Sequence, residues 1–250
     1  MSIQLKRPDQ LQTMRDAGRI VAETLQILKD EVRPGITTGE IDQIAEKNIR
    51  RHGAVPSFKH YRGFPASTCI SVNDEVVHGI PGKRVLNDGD IVSIDTGARY
   101  RGYHGDATIT VPVGSISDET AQLVRVCFES LDLGIAAAQV GHHLTDISAA
   151  IQDYVEAAGF AVVRDLYGHG IGRALHEEPM LPHYGPPGHG PVLRPGMVIT
   201  IEPMIVAGNP ATRTLRDNWT VVTLDGSWAA QFEHTVAITE DGPEVLTTFP

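Results

Sequence analysis

The chain has 250 residues, 41% of them hydrophobic, and a formal net charge of −10 at pH 7. That length and apolar share suffice for a sizeable core in one large or two small domains. The charge opposes binding to nucleic acid or to an anionic membrane, and no apolar run reaches the ~18 residues of a membrane span. The two cysteines, Cys69 and Cys127, form no CxxC motif and no disulfide framework, which suits a reducing cytosol.

The first thirty residues carry Lys6, Arg7, Asp9, Arg15 and Asp16, so no signal-peptide apolar core is expected there. The segment Met1-Ser2-Ile3 and the residues up to Pro8 are expected to be mobile. Leu11, Met14, Gly18, Val21, Leu25 and Leu28 recur at spacings of three and four, which predicts a helix over residues 8–31 with one buried stripe. "RPGITTGE" ends it. Thr37 and Glu40 then form a capping box, and Ile41, Ala45 and Ile49 mark a second helix.

Residues 91–110, "IVSIDTGARYRGYHGDATIT", read as a hairpin of two strands around a Gly-bearing turn. Ile91, Val92 and Ile94 predict burial on both faces, yet Asp95 follows them and Asp106 stands in the returning strand. Carboxylates are rarely buried unless a cation or a donor compensates them. Arg99 and Arg101, close in sequence to Asp95, are one candidate compensation; a metal is another.

The first third of the chain recurs later. At an offset of 106 residues, Gly35, Ile41, Ala45, Ile49 and Gly53 map onto Gly141, Ile147, Ile151, Val155 and Gly159. At an offset of 107, "VLNDGDIVSID" lies over "VLRPGMVITIE", which sets Asp95 on Glu202. Two matches in the same order predict two α+β halves related by a pseudo-twofold axis, roughly 8–110 and 117–238, within a single domain over residues 1–250. No linker separates the halves, so they are expected to share one sheet. The Pro/Gly-rich stretch 182–196 reads as a loop feeding the strand that ends at Glu202. "QFEHTVAI" over 231–238 predicts a further strand, and it carries Glu233.

If the strand-ending acids meet, they form a set with Asp106, Glu233 and His169, the last held between glycines in "YGHGIG". Four carboxylates cannot share one pocket as bare anions; they must bind protons or cations. Oxygen ligands with one imidazole suit divalent first-row ions and not a Cys-based structural zinc site. Residue by residue, blander readings stand beside this one. His169 could be a hydrogen-bonded core histidine, His78 a turn residue before Gly79-Ile80-Pro81, and His176 a loop residue on the surface.

Taken together, "DTG…HGDATIT", "GHGIGRALHEEP", "ITIEP", "FEHT" and "YRGFPASTCISVNDEVVHG" resemble the methionine aminopeptidases of the short bacterial type, along almost the whole chain. The resemblance implies the pita-bread fold, an α+β arrangement of pseudo-symmetric halves around a curved antiparallel sheet. It implies that Asp95, Asp106, His169, Glu202 and Glu233 are the ligands of two divalent ions (Co, Mn, Fe or Zn). It assigns His78 and His176 to the scissile bond, and Tyr61, Phe64, Cys69 and Trp219 to a methionine side-chain pocket. Leu175 stands where the family often carries Phe, and Phe58 where a smaller residue is common. The implied activity is removal of the N-terminal methionine when the second residue is small, with a metal-bridging hydroxide as nucleophile and Glu202 as general base. The implied setting is a cytoplasmic monomer acting on nascent polypeptide N-termini near the ribosome, with no nucleic-acid or membrane partner. An X-Pro aminopeptidase or dipeptidase on the same fold is the nearest alternative. A non-catalytic pita-bread module that binds proteins is more distant, since such modules lose ligands and all five ligand types are present here.

Overall fold

A computed structural model describes residues 2–248 of the chain; Met1 lies outside the described residues. The periodic stripe of the first thirty residues forms helix α1, Pro8–Glu31, which buries Leu11, Met14, Val21, Leu25 and Leu28. Gly18 and Gly105 let this helix approach the sheet closely: a Cβ on Gly105 would stand 2.9 Å from Gly18 N. Helix α2, Thr38–Arg51, starts at the expected capping box, with Thr37 N–H donating to Glu40 Oε2 at 2.8 Å and Glu40 N–H to Thr37 Oγ1 at 3.2 Å. Helices α3, Asp118–Ala137, and α4, Leu144–Ala157, repeat the pair in the second half.

The main sheet has nine strands, antiparallel throughout. Its path runs Val55–Pro56, Ile91–Tyr100, Tyr103–Pro112, Glu233–Thr239, Val198–Ile201, Gly168–Gly170, Glu177–Leu181. Thr68–Val72 and Gly242–Val245 attach beside it. The predicted hairpin turns at Arg101 and Gly102, both at positive φ, which matches the right-handed twist of its strands. First-half strands thus meet second-half strands at the seam between Tyr103–Pro112 and Glu233–Thr239.

The offsets seen in the sequence recur in the structure. An isolated bridge joins Thr37 to Val85, and its counterpart joins His143 to Val192. Ile41, Ala45 and Ile49 are fully buried in one apolar cluster with the strands of the hairpin; Ile147, Ile151 and Val155 are fully buried in another with Val198–Ile201. Two helix pairs therefore press two cores against one shared sheet.

Two expectations are corrected. Among the described residues ahead of Pro8 the chain is docked at Ile3 and Lys6, not loose: Lys6 is buried, its N–H donates to the Gly196 carbonyl at 2.7 Å, and Ile3 packs on the second-half core. The strand expected over 231–238 is broken at Phe232. Ala229–Gln231 pairs with Met204–Val206 in a separate three-stranded sheet, and Glu233–Thr239 joins the main one.

Candidate metal centre and active site

The acids come together because the strands bring them into neighbouring rows. Asp95 lies opposite Thr108, and Thr108 opposite Glu233. In the next row Gly97 lies opposite Asp106, whose N–H donates to Thr235 Oγ1 at 3.0 Å; Thr235 lies opposite Thr200. Side chains two residues apart share a face of a strand. Asp95, Asp106, Glu233 and Glu202 are thus interleaved with Thr108, Thr235 and Thr200 on one face. Asp106 is a diagonal neighbour of Asp95, not its direct partner. Asp95 and Glu202, the strand-ending acids of the two halves, both belong to this patch, and the charge of Asp95 acts on Glu202.

The threonines hold what they separate. Thr108 Oγ1 donates to Glu233 Oε2 at 2.7 Å, and Thr200 Oγ1 to Glu202 Oε1 at 2.7 Å. Thr200 Oγ1 also accepts the His169 N–H at 2.9 Å. His169 Nδ1 meets the Gly170 carbonyl at 2.9 Å, which leaves Nε2 for the centre, 3.7 Å from Glu202 Oε1. Behind Glu202, the fully buried His183 accepts the Glu202 N–H at Nε2, 3.0 Å away. Thr108, Thr200 and Thr235 each stand two residues from an acid, a signal present in "DAT", "TIE" and "EHT". His183, in "LPHYG", carries no such signal.

Arg99 and Arg101 do not compensate the acids. Arg99 is exposed, and the Arg101 guanidinium lies over the Tyr100 ring. Asp95 Oδ1 and Asp106 Oδ1 are buried with no hydrogen-bond partner among the described residues. Burial therefore raises every carboxyl in the patch. Asp95 is pushed up to about 7 and Glu202 to about 8. Asp106 is driven well above the usual range by burial and then by the charges of Asp95 and Glu202, and Glu233 by burial and then by those of Asp106 and Glu202. His169 is pushed down to about 4, again by burial. A site that raises acids and lowers an imidazole favours neutral ligands only while no cation is present; a divalent cation reverses that preference. One ligand atom each from Asp106, His169 and Glu233 falls within 4.8 Å of the other two. The donor set fits a divalent ion, and the two orphaned carboxylate oxygens are what such an ion would satisfy.

All eleven site residues implied by the resemblance line one cavity of about 370 Å³. Above the acids, His176 Nδ1 meets the Tyr61 hydroxyl at 2.8 Å, and its ring centre lies 4.1 Å from that of His169. Burial, then His169, push the His176 imidazole down to about 3, so it is neutral at working pH. His78 stands at positive φ, 6.2 Å ring to ring from Trp219, and burial lowers its pKa too. Trp219 and Phe64 meet edge to face at 5.1 Å, and Cys69 is buried beside them with its thiol held neutral by burial and by Asp95. Phe58 and Leu175, the two departures from the family pattern, complete this apolar wall.

The profile of metallopeptidase family M24 matches residues 12–240. The chain belongs to that family. Within family M24 it falls among the methionine aminopeptidases. It is 58% identical to methionine aminopeptidase 1 of Bacillus subtilis, over 97% of this chain and 98% of the relative. It superposes on the crystal structure of methionine aminopeptidase from Thermotoga maritima with a TM-score of 0.98 at 45% identity, covering 99% of this chain and 100% of that one. Prolidase from Pyrococcus furiosus shares the fold more distantly, with a TM-score of 0.81 at 25% identity, and this chain covers 66% of it. The M24 chain therefore has the pita-bread fold that its sequence resemblance implied. Among the described residues no helix is long and apolar enough to cross a membrane.

Proposed function

We propose that this M24 peptidase removes the N-terminal methionine from nascent polypeptides whose second residue is small, as a cytoplasmic monomer working near the ribosome. The observation that carries the reading is the stacking of two surfaces in one cavity: an acid-and-imidazole floor with orphaned oxygens, and an apolar wall of aromatics and a neutral thiol. The wall suits one thioether side chain, since sulfur packs favourably on aromatic rings. Asp95, Asp106, His169, Glu202 and Glu233 would hold two divalent ions of the Co, Mn, Fe or Zn class. When bound, such ions polarise a carbonyl and make a potent nucleophile of water at neutral pH.

The protein's own groups have the following parts. Thr200 occupies Glu202 Oε1, so Oε2 is the oxygen that takes a proton and returns it to the departing amine. With the Tyr61 hydroxyl, 2.8 Å from His176 Nδ1, taken as the donor, the ring proton sits on Nε2, which would donate to the oxyanion as it develops. His78 holds the nitrogen side of the scissile bond. The two imidazoles and the acid floor crowd the second residue of the substrate, which selects for a small side chain there. A net charge of −10 accords with a peptide substrate and no nucleic-acid partner.

Release of free methionine from Met-Ala and Met-Pro peptides, set against hydrolysis of Ala-Pro peptides, tests the reading. Preference for the methionyl peptides is expected. Preference for Ala-Pro would move the chain to an X-Pro activity on the same fold.

A further inference from the structure

We propose that Lys6, in the arm ahead of α1, is a positioning residue for His176 and acts through a buried ion pair with Glu177. The proposal rests on the reading of His176 as a substrate-contacting residue. Lys6 and Glu177 lie 171 positions apart in sequence. Lys6 Nζ and Glu177 Oε2 stand 2.6 Å apart, with side chains 5% and 13% exposed. Among the described residues, no other pair formed by a lysine or arginine has both partners so enclosed. Exposed ion pairs contribute little; an enclosed one is costly to break, because the remaining charge stays buried.

The pair ties three segments together. On the arm, Lys6 N–H bonds the Gly196 carbonyl and Lys6 Nζ also donates to Gln4 O at 3.0 Å. On the other side, Glu177 Oε1 accepts the Ala174 N–H at 3.1 Å, closing the turn over residues 172–177 that carries His176. Glu177 is bonded to His176 in the chain and lies opposite Gly170, the neighbour of His169. Gly172 leaves the room this requires: a Cβ there would stand 2.5 Å from Lys6 Cε and 2.8 Å from Glu177 Oε1. His176 has one side-chain hydrogen bond, to Tyr61, on whose ring it also stacks at 5.2 Å, and the backbone of its turn sets how far the imidazole reaches over His169. That backbone is anchored on a carboxylate, and the carboxylate is anchored on the arm.

The test uses the full chain loaded with metal, in the variants Lys6→Met, Lys6→Arg and Lys6→Met with Glu177→Gln. Misplacing a catalytic group by an ångström costs up to ~10²-fold, so Lys6→Met is expected to lower kcat for a methionyl peptide at least about tenfold. KM is expected to stay within about threefold and metal content to match wild type, because neither the pocket nor the ligands are touched. Lys6→Arg, which keeps the ion pair, is expected to restore kcat. The doubly neutral variant relieves the buried charge without restoring the tether: thermal stability should recover and kcat should not. Recovery of both, or a Lys6→Met enzyme with kcat unchanged, would overturn the proposal, as would loss of metal in step with activity. The ring resonances of His176 in isotope-labelled protein give a reading independent of turnover. They should shift in Lys6→Met and return in Lys6→Arg. If wild type released no methionine, the activity would be misread, and these resonances alone would decide the positioning, with no shift counting against it.

Discussion

Thr200→Val is a near-isosteric change that removes one hydroxyl from the most loaded position in the floor of the site. That hydroxyl donates to Glu202 Oε1 at 2.7 Å and accepts the His169 N–H at 2.9 Å. Burial raises the Glu202 carboxyl, and the Thr200 hydrogen bond opposes the rise. A hydrogen bond to a charged group contributes about 1.5–3 kcal/mol, and about 1.4 kcal/mol corresponds to one pKa unit. Complete loss would therefore raise Glu202 by roughly one to two units, with bound metal reducing the rise. The base needs its carboxylate form, so the acid limb of kcat/KM against pH should move to higher pH. The His169 N–H, left without its acceptor in a buried strand, should cost a further ~1–3 kcal/mol of stability. Thr200→Ser keeps the hydroxyl and should keep the profile. The assay is kcat/KM on a methionyl peptide from about pH 5 to about pH 9, with metal content measured on each sample. Superimposable acid limbs for wild type and Thr200→Val, at equal metal content, would refute the assignment of Glu202 as the base that Thr200 tunes.

In metal-free protein, Asp95 and Glu202 are raised to about 7 and about 8, so their contribution to stability is fully present below the ordinary carboxylate range and is lost as pH rises through those values. The Tm of metal-free protein should fall over that interval while metal-loaded protein holds; a metal-free Tm that rises would contradict the linkage. His176→Ala and His78→Ala should each lower kcat by the ~10²–10³-fold typical of losing a transition-state donor, with metal content unchanged; loss of metal in either would reassign that histidine to the ligand set. Trp219→Ala opens the wall against Phe64 and should raise KM for methionyl peptides more than it lowers kcat; an unchanged KM would remove Trp219 from the pocket. Gly170→Ala should fold poorly, because a Cβ there would overlap the Glu178 carbonyl; a variant of wild-type Tm would show that the strand edge gives way.

What could be read in advance follows from how local each signal is. Helix α1 runs Pro8–Glu31, as its stripe predicted, because a 3.6-residue period needs only neighbouring residues to express it. The Thr37–Glu40 box was equally local. The metal-type floor was legible because the chain repeats itself, so that the offset placing Asp95 on Glu202 carried tertiary information. The supporting threonines were also within reach, two residues from the acids on the same strand face. The break at Phe232 was not, because 231–238 has strand pattern on both sides of it, and only the separate sheet taken by Ala229–Gln231 splits it. The docked arm was least legible. Lys6 looks like an ordinary surface lysine next to Arg7, and its partner lies 171 residues away on an edge strand. His183 likewise reads as a loop residue, and gains its role only when the Glu202 backbone arrives at its ring.

The central claim is that four carboxylates and one imidazole act here through divalent metal. The direct measurement is methionine release by protein stripped of metal and shown by elemental analysis to be free of it, followed by the same assay as Mn, Co, Fe or Zn is added back. Oxygen-rich ligands with one imidazole bind such ions, so stripped protein should release no methionine and Mn, Co or Fe should restore release. Full turnover in the demonstrably metal-free sample would contradict the claim.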